Sequence, residues 1–346
     1  MAKKKLEPVI GLDVGSYSIK SVEVSPDSGA KLRQFSVLNL DSPTPESLQE
    51  ALKSIVGPYQ GRSVRWRISV AGPSLLMRRI QLPVMTPAEL KGAILFEAES
   101  QIPFPINDCQ LDFQILNTQA LPAGRQADNK TMNVLLVAAK KDFIQERLKV
   151  LSALGVTPET IDADIFCLTN AFEWLGEEAA QKTYGVLNIG HTGSSFAILQ
   201  DKIPFSMRDI PVGGAEITKQ LALAKGISEP DAEKMKISHA APMHEELKAA
   251  TAKGLESLAE EIKHSVDYFE NETSEDLKTI WLSGGGALAE DAASVLSEEL
   301  GRPVQFWDNL KKMEVSGDAD KKNLGEQSRV LNVALGMALK RAGHKA

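Results

Sequence analysis

The sequence predicts an α/β protein of two lobes that close on a polyphosphate, with an α+β module inserted into the chain. Three observations carry this. The first is a repeat: IGLDVGSYSIKSVE at 10–23 and VLNIGHTGSSFAIL at 186–199 each read as an apolar strand, a tight turn of Gly and hydroxyl residues, and a second strand. Used twice, such a hairpin can grip one polyphosphate from opposite sides through backbone N–H groups and hydroxyls. The second is a further glycine cluster, SGGG at 283–286, between a short strand and a helix. The third is the alternation of strands and helices through the second half of the chain, which favours α/β lobes.

Taken in order, residues 9–14, 19–24 and 32–40 place β-branched residues between turn signals and predict three antiparallel strands, the first turn being the glycine loop itself. A helix at 47–55 and strands at 65–70 and 75–82 follow. Thr86 can cap a helix with Pro87 at its first position and Glu89 at the capping-box spacing, and that helix must stop at Pro103. Strands are expected at 111–115 and 132–138, joined by a loop at 121–130, then a helix at 141–154 that stops at Gly155. A helix at 165–178, the second hairpin and a strand at 203–210 come next. Gly213 and Gly214 open a helix to Lys219, and 230–237 and 243–270, rich in Ala, Glu, Lys and Leu, are expected to be helical. A strand at 279–282, a helix ending near Gly301, a strand at 303–307, a loop at 315–327 and a closing helix at 330–341 complete the chain. The closing helix carries small residues at Ala334, Gly336 and Ala338.

Composition excludes several classes. Lys and Arg total 39 against 46 for Asp and Glu, a formal net charge of -7, so no broad basic face for nucleic acid is expected. Cys109 and Cys167 have neither CxxC spacing nor a nearby His cluster, so neither a disulfide framework nor a zinc site is indicated. The basic start MAKKKLEP is followed by no apolar run, and none elsewhere approaches the roughly 18 residues of a membrane span, so a cytoplasmic protein is expected.

In the first loop the candidate binding residues are Asp13, Gly15, Ser16, Tyr17, Ser18 and Lys20. Gly15 permits close backbone approach, Ser16 and Ser18 can donate to phosphate oxygens, and Asp13 can hold hydrated Mg²⁺. Alone, such a turn is an ordinary hairpin. Its repetition at Asn188, Gly190, Thr192 and Gly193, together with Gly284, Gly285 and Gly286, reverses that reading, because bare backbone at a helix start can lie against a purine or ribose. Glu233 and Lys236 share a helix face, ordinarily a solvated ion pair and, inside a nucleotide site, a candidate for the ribose hydroxyls. Five histidines are scattered (191, 239, 244, 264, 344), and His191, the one near a phosphate loop, is read as a turn residue.

These elements resemble the superfamily of actin, heat-shock chaperone and sugar-kinase ATPases. A closer resemblance is to the PilM family of type IV pilus assembly proteins, itself similar to the division protein FtsA. It is carried by GLDVGSYSIKSVEV, RRIQLPVMTPAELKGAILFEAESQIPFPI, LDFQIL, RDIPVGGAEITKQL, AEKMK, LSGGG and NVALGMALK, and covers nearly the whole chain. It implies an α/β actin-like fold of two ribonuclease H-like lobes with an inserted α+β module of the FtsA 1C type. The first lobe would span 1–79, completed by 159–180 and 328–346; the module 80–158; and the second lobe 181–327, with a helical part at about 216–278. ATP and Mg²⁺ would lie between the lobes, with Gly213 and Gly214 joining the site. The partner implied is the N-terminal cytoplasmic tail of a PilN-like inner-membrane protein, beside pilus motor ATPases and further copies in a ring.

One departure matters. The superfamily carries Asp in the second loop where this chain has Asn188, and an amide keeps the hydrogen-bonding shape without the charge that helps hold hydrated Mg²⁺ or polarise water. Binding with slow hydrolysis at most is therefore expected. An active ATPase or phosphotransferase would need a positioned base, and no residue claims that role from sequence. An FtsA-like adaptor would carry a C-terminal amphipathic helix and a GspL-like one a transmembrane segment; the chain ends at LKRAGHKA, which favours PilM.

Overall fold

A computed structural model describes residues 7–25, 31–42, 44–119, 131–176, 181–238, 244–307, 309–316 and 321–340. The expected loop at 121–130, the helix ends at 177–178 and 341, and His239 and His344 lie outside them.

The first sheet starts as the repeat demands. β1 (Val9–Val14), β2 (Ser18–Ser25) and β3 (Lys31–Asn39) form an antiparallel meander. After α1 (Pro45–Val56), whose cap Thr44 accepts from Ser47 N–H, β4 (Arg65–Val70) joins β1 in parallel. β1 is buried along its whole length. Ile10, Leu12 and Val14 face Leu52 and Ile55 of α1.

The chain then leaves this sheet. β5 (Leu75–Pro83), α2 (Pro87–Gln101), β6 (Cys109–Gln119) and β7 (Thr131–Lys140) make a separate three-stranded antiparallel sheet, ordered β5-β7-β6, with α2 across one face. α2 begins with the capping box: Glu89 N–H donates to Thr86 Oγ1 at 3.3 Å and Thr86 N–H to Glu89 Oε2 at 2.8 Å. Ile80, Leu82, Leu90, Ile94 and Val134 form the core beneath it. The other face packs Leu75, Met77 and Leu135 against the second lobe. α3 (Lys141–Ser152) returns to the first lobe, where Leu151 and Val156 pack with Ile10 and Leu12. The expected module limits fall at elements rather than between them: Ile80 inside β5 and Pro158 at the first residue of β8 (Pro158–Ala163).

β8, absent from the sequence reading because PETIDA has one Pro and no apolar alternation, adds in parallel beside β4. α4 (Asp164–Leu175) then crosses between the two large sheets. β9 (Thr183–Ile189), β10 (Ser194–Gln200) and β11 (Ile203–Ile210) repeat the opening meander. α5 (Gly214–Lys225) runs beyond the expected Lys219 to a left-handed stop at Gly226 and is followed by α6 (Glu229–Ser238) and α7 (His244–Thr273). β12 (Ile280–Ser283) lies parallel to β9, and after α8 (Ala292–Leu300), β13 (Val304–Phe306) lies parallel to β12, giving the order β11-β10-β9-β12-β13.

The segment expected as a loop at 315–327 is otherwise. β14 (Glu314–Val315) pairs with β3 to complete the order β14-β3-β2-β1-β4-β8, and α9 (Lys321–Gln327) is helical. KKNLGEQ is too short and polar for helical periodicity, and buried Leu324 packs it on the first-lobe core. α10 (Asn332–Leu339) closes the chain against β1 and α4. Its small residues set that approach: a Cβ on Gly336 would lie 1.7 Å from Cys167 O, and one on Gly11 would lie 2.0 Å from Ala334 O.

Candidate functional site

The two hairpins are equivalent in register. Asp13 pairs with Lys20 across the first and Asn188 with Ser195 across the second. In the first, Asp13 is buried and its Oδ2 lies 3.2 Å from Lys20 Nζ. Gly15 sits above that pair, where a Cβ would come 3.1 Å from Lys20 Nζ and 2.9 Å from Ser18 O. Gly15 N–H and Gly190 N–H do not face a ligand: they close the turns onto Ser18 O at 3.2 Å and Gly193 O at 2.9 Å. Among the described residues the backbone donors left open at the tips are the N–H groups of Ser16, Tyr17, His191, Thr192 and Gly193.

The tips meet. Ser16 Oγ is 3.0 Å from Thr192 Oγ1, and the rings of Tyr17 and His191 touch at a tilt of 35° with centroids 4.9 Å apart. Burial pushes the His191 pKa below its ordinary value, with Glu233 opposing, and pushes that of Tyr17 up, with Glu233 adding to the rise.

The glycines of the second lobe converge beside the tips. Gly214 N–H donates to Gly190 O at 2.9 Å, and a Cβ on Gly213, Gly286 or Gly284 would come 2.6, 2.6 or 2.3 Å from the backbone oxygens of His191, Gly190 and Ile189. Gly284 also needs its φ of +97°, a region L side chains rarely adopt. Its missing Cβ leaves room for Asn188 Oδ1, which would lie 2.8 Å from it. Gly193 and Gly285 lie in the same loops with more space.

Glu233 and Lys236 are not a solvated pair. Lys236 Nζ lies 2.7 Å from Glu233 Oε2 and also donates to Gly214 O at 2.9 Å and to Thr218 Oγ1 at 2.7 Å, while Thr218 Oγ1 donates to Glu233. All three ammonium donors are thus spent binding α6 to the start of α5. Burial pulls the Lys236 pKa down against the support of Glu233.

Two acids were missed in the sequence. Asp164 opens α4 half-buried, with its Oδ1 shut off from solvent; burial first, then the charge of Asp13, raises its pKa to about 7, with Ser69 and Lys20 opposing. DADIF reads only as a helix start, and the burial comes from tertiary packing. Asp209, in the RDIPVGG segment, accepts from Ser195 Oγ at 2.6 Å and from Gly72 N–H at 3.1 Å, tying the second hairpin to the loop that leads into β5. Burial raises its pKa and these two bonds oppose the rise.

The arrangement fits a phosphate ligand: opposed turns with open N–H groups, glycines packed where a Cβ would clash, and a buried carboxylate beneath. A hydrated Mg²⁺ bound here would be held by Asp13. A second cluster of metal-ligand type, His244 with Glu290 and Asp291, has both ring nitrogens already facing carboxylates, at 2.9 and 3.4 Å.

A family model for type IV pilus assembly protein PilM matches residues 11–342. The chain belongs to the PilM family. Among solved structures it is similar to the PilM-PilN type IV pilus biogenesis complex, with a TM-score of 0.82 at 24% identity over 97% of this chain and 100% of that one. It is similar also to the ethanolamine utilization protein EutJ from Carboxydothermus hydrogenoformans, with a TM-score of 0.53 at 14% identity over 95% of this chain and 88% of that one. The PilM fold of this chain is the two-lobed actin-like one with an inserted α+β module. Among the described residues no helix is long and apolar enough to cross a membrane.

Proposed function

We propose that this PilM-family chain is an ATP-binding cytoplasmic scaffold of the platform that assembles type IV pili, and that it captures the N-terminal tail of a PilN-like membrane protein. The observation that supports nucleotide binding is the meeting of Ser16 and Thr192 across the lobes, with the glycine cluster of 213–214 and 284–286 beside them. Membership of the PilM family and the likeness to a PilM-PilN complex support the partner. In this reading the tip amides and the hydroxyls of Ser16, Ser18 and Thr192 bind phosphate oxygens, Asp13 holds hydrated Mg²⁺, Glu233 faces the ribose, and Gly284 to Gly286 lie against the base. The metal ion would supply charge neutralisation for the phosphates.

A slow ATPase is a second reading, favoured by Asp164. A half-buried acid with a pKa of about 7 beside Asp13 can accept a proton from water at neutral pH. Asn188, opposite, has no charge to add. The scaffold role needs only that ATP fix the angle between lobes.

The test is capture of a synthetic PilN-type tail by the purified full chain, with and without Mg·ATP, beside calorimetric titration of Mg·ATP alone. Tail capture and saturable ATP binding are expected. A protein that binds neither removes the proposal, and one that binds only the tail removes its nucleotide half.

A further inference from the structure

Residues 208–215 join the second hairpin to the inserted module. At the far end of this stretch Gly214 N–H donates to Gly190 O at 2.9 Å and Ala215 N–H to His191 O at 2.8 Å, while Val212 O accepts from Ser194 Oγ at 2.6 Å. These bonds hold the tip of the hairpin. At the near end Asp209 pairs in register with Ser195, and Ser195 with Asn188, so the three polar residues stand side by side across β11, β10 and β9. The Asp209 carboxylate is divided between two parts of the chain: Oδ1 accepts from Ser195 Oγ at 2.6 Å and Oδ2 from Gly72 N–H at 3.1 Å.

Gly72 is where the chain leaves the first lobe for the module. Its carbonyl accepts at 3.0 Å from the N–H of Leu75, the first residue of β5, and Ser74 O accepts at 3.0 Å from the N–H of Lys140, the last residue of β7. This turn therefore closes both strands by which the module is attached. Beyond it, Leu75 and Met77 share a core with Leu199 and Met207, and the Arg79 guanidinium lies 4.7 Å from the centre of the Phe205 ring. Such contacts tolerate sliding, whereas the two bonds of Asp209 are directional and fix one relative position. A phosphate that binds Ser16 and Thr192 replaces the contact between the hairpin tips, and a change in the second hairpin reaches Gly72 through Asp209. A ligand that orders one end of this stretch relieves a ligand at the other of part of that cost, so each tightens the other by the same factor.

We propose that Asp209 couples the nucleotide hairpins to the module, so that bound Mg·ATP tightens capture of the PilN-type tail. The inference rests on the nucleotide and partner reading above and adds its regulation. The experiment is titration of a labelled synthetic PilN-type tail into the full chain, with and without Mg·ATP at a concentration that calorimetry shows to be saturating. Wild type is compared with Asp209→Ala, Asp209→Asn, Ser195→Ala and Arg79→Met, each checked by circular dichroism and melting temperature. The quantity read is the ratio of the two tail affinities, from which a loss common to both states cancels. ATP is expected to raise the wild-type tail affinity about fivefold or more, and Asp209→Ala to bring the ratio near one. Asp209→Asn, which keeps one acceptor oxygen, and Ser195→Ala, which removes one of the two bonds, should fall between. Arg79→Met removes a different contact between the module and the second lobe and should keep the wild-type ratio. Should Asp209→Ala fail to fold, Asp209→Asn and Ser195→Ala read the same ratio. A wild-type ratio of one with both ligands bound, an unchanged ratio in the Asp209 variants, or an equal fall in Arg79→Met overturns the coupling through Asp209 while the nucleotide and tail sites stand. A wild type that binds neither ligand, or the tail alone, overturns the reading beneath it as well.

Discussion

Ser16 Oγ and Thr192 Oγ1 lie 3.0 Å apart, although one belongs to the first hairpin of the first lobe and the other to the first hairpin of the second. Each hydroxyl satisfies the other. Each hydroxyl has one proton to donate, so a polyphosphate that takes both as donors would replace this contact.

A cysteine pair at these positions reports that replacement. Ser16→Cys/Thr192→Cys puts two thiols where these hydroxyls touch at 3.0 Å, so a disulfide of about 2 Å needs only a small shift. Cys109 and Cys167 are buried and do not compete. Mild oxidant is expected to cross-link the free protein, Mg·ATP to slow the reaction, and the cross-linked form to bind ATP only after reduction. Equal cross-linking rates with and without saturating ATP would show that ATP does not replace this contact.

Asp13 and Lys20 form a nearly buried ion pair, and removing one partner leaves the other charge uncompensated. Asp13→Ala or Lys20→Ala is expected to weaken ATP binding at least about tenfold, roughly 1.4 kcal/mol. The double variant separates fold from site: it should regain melting temperature relative to either single variant without regaining affinity. Wild-type affinity in both single variants would remove the first hairpin from the site.

Asn188 pairs with Ser195 at the position equivalent to the Asp13–Lys20 pair, with Gly284 leaving space for its amide oxygen. With no second carboxylate there, turnover well below the roughly 1 to 100 per second of kinases is expected, and Asn188→Asp should raise it. Phosphate release from a clean preparation measures this. Brisk wild-type turnover would mean that Asp164 suffices.

Most of this architecture was legible because it is local. A strand, a turn and a strand within fourteen residues announce themselves, as do the Thr86 and Glu89 cap and the Gly301 helix stop. What escaped depends on partners far away in sequence. β8 exists because β4 offers it an edge, and α9 because Leu324 finds the first-lobe core. The Glu233 and Lys236 spacing gave the pair but not its burial, which Gly214 and Thr218 impose. Asp164 reads only as a helix-start charge, since nothing in its neighbours says that packing will bury it.

Asp164 predicts a pH effect in the nucleotide-free protein. Its folded pKa of about 7 lies above the ordinary carboxylate value of about 4, so between these values the native state keeps a proton that the unfolded chain gives up. Its contribution is complete below about pH 4 and is lost as pH rises toward 7. Arg147, Lys20, Asp13, Asp209 and Ser69 face it in both wild type and Asp164→Asn, so the difference between the two isolates the carboxyl group. Asp164→Asn should gain melting temperature relative to wild type between pH 5 and pH 8. A difference that stays flat or shrinks would show that Asp164 is ionised throughout.

The proposed partner makes the last prediction, on α2. Leu90, Ile94 and Ala98 of this helix cover the module sheet, yet Leu95 and Phe96 also carry apolar surface, 50% and 76% exposed. A helix that is apolar on both sides has a second face to cover. Removing the whole module would not test this cleanly: a deletion from 80 to 158 also takes Leu151 and Val156 out of the core they share with Ile10 and Leu12. Point changes spare that core. Leu95→Ser/Phe96→Ser is expected to weaken capture of a PilN-type tail about tenfold or more, whereas Leu223→Ser, which alters a leucine 70% exposed on α5, should leave it unchanged. ATP affinity should be the same in all three proteins, because neither site lies in the cleft. If Leu95→Ser/Phe96→Ser keeps full tail capture but loses self-association in sedimentation, α2 joins copies of the chain and the tail binds elsewhere.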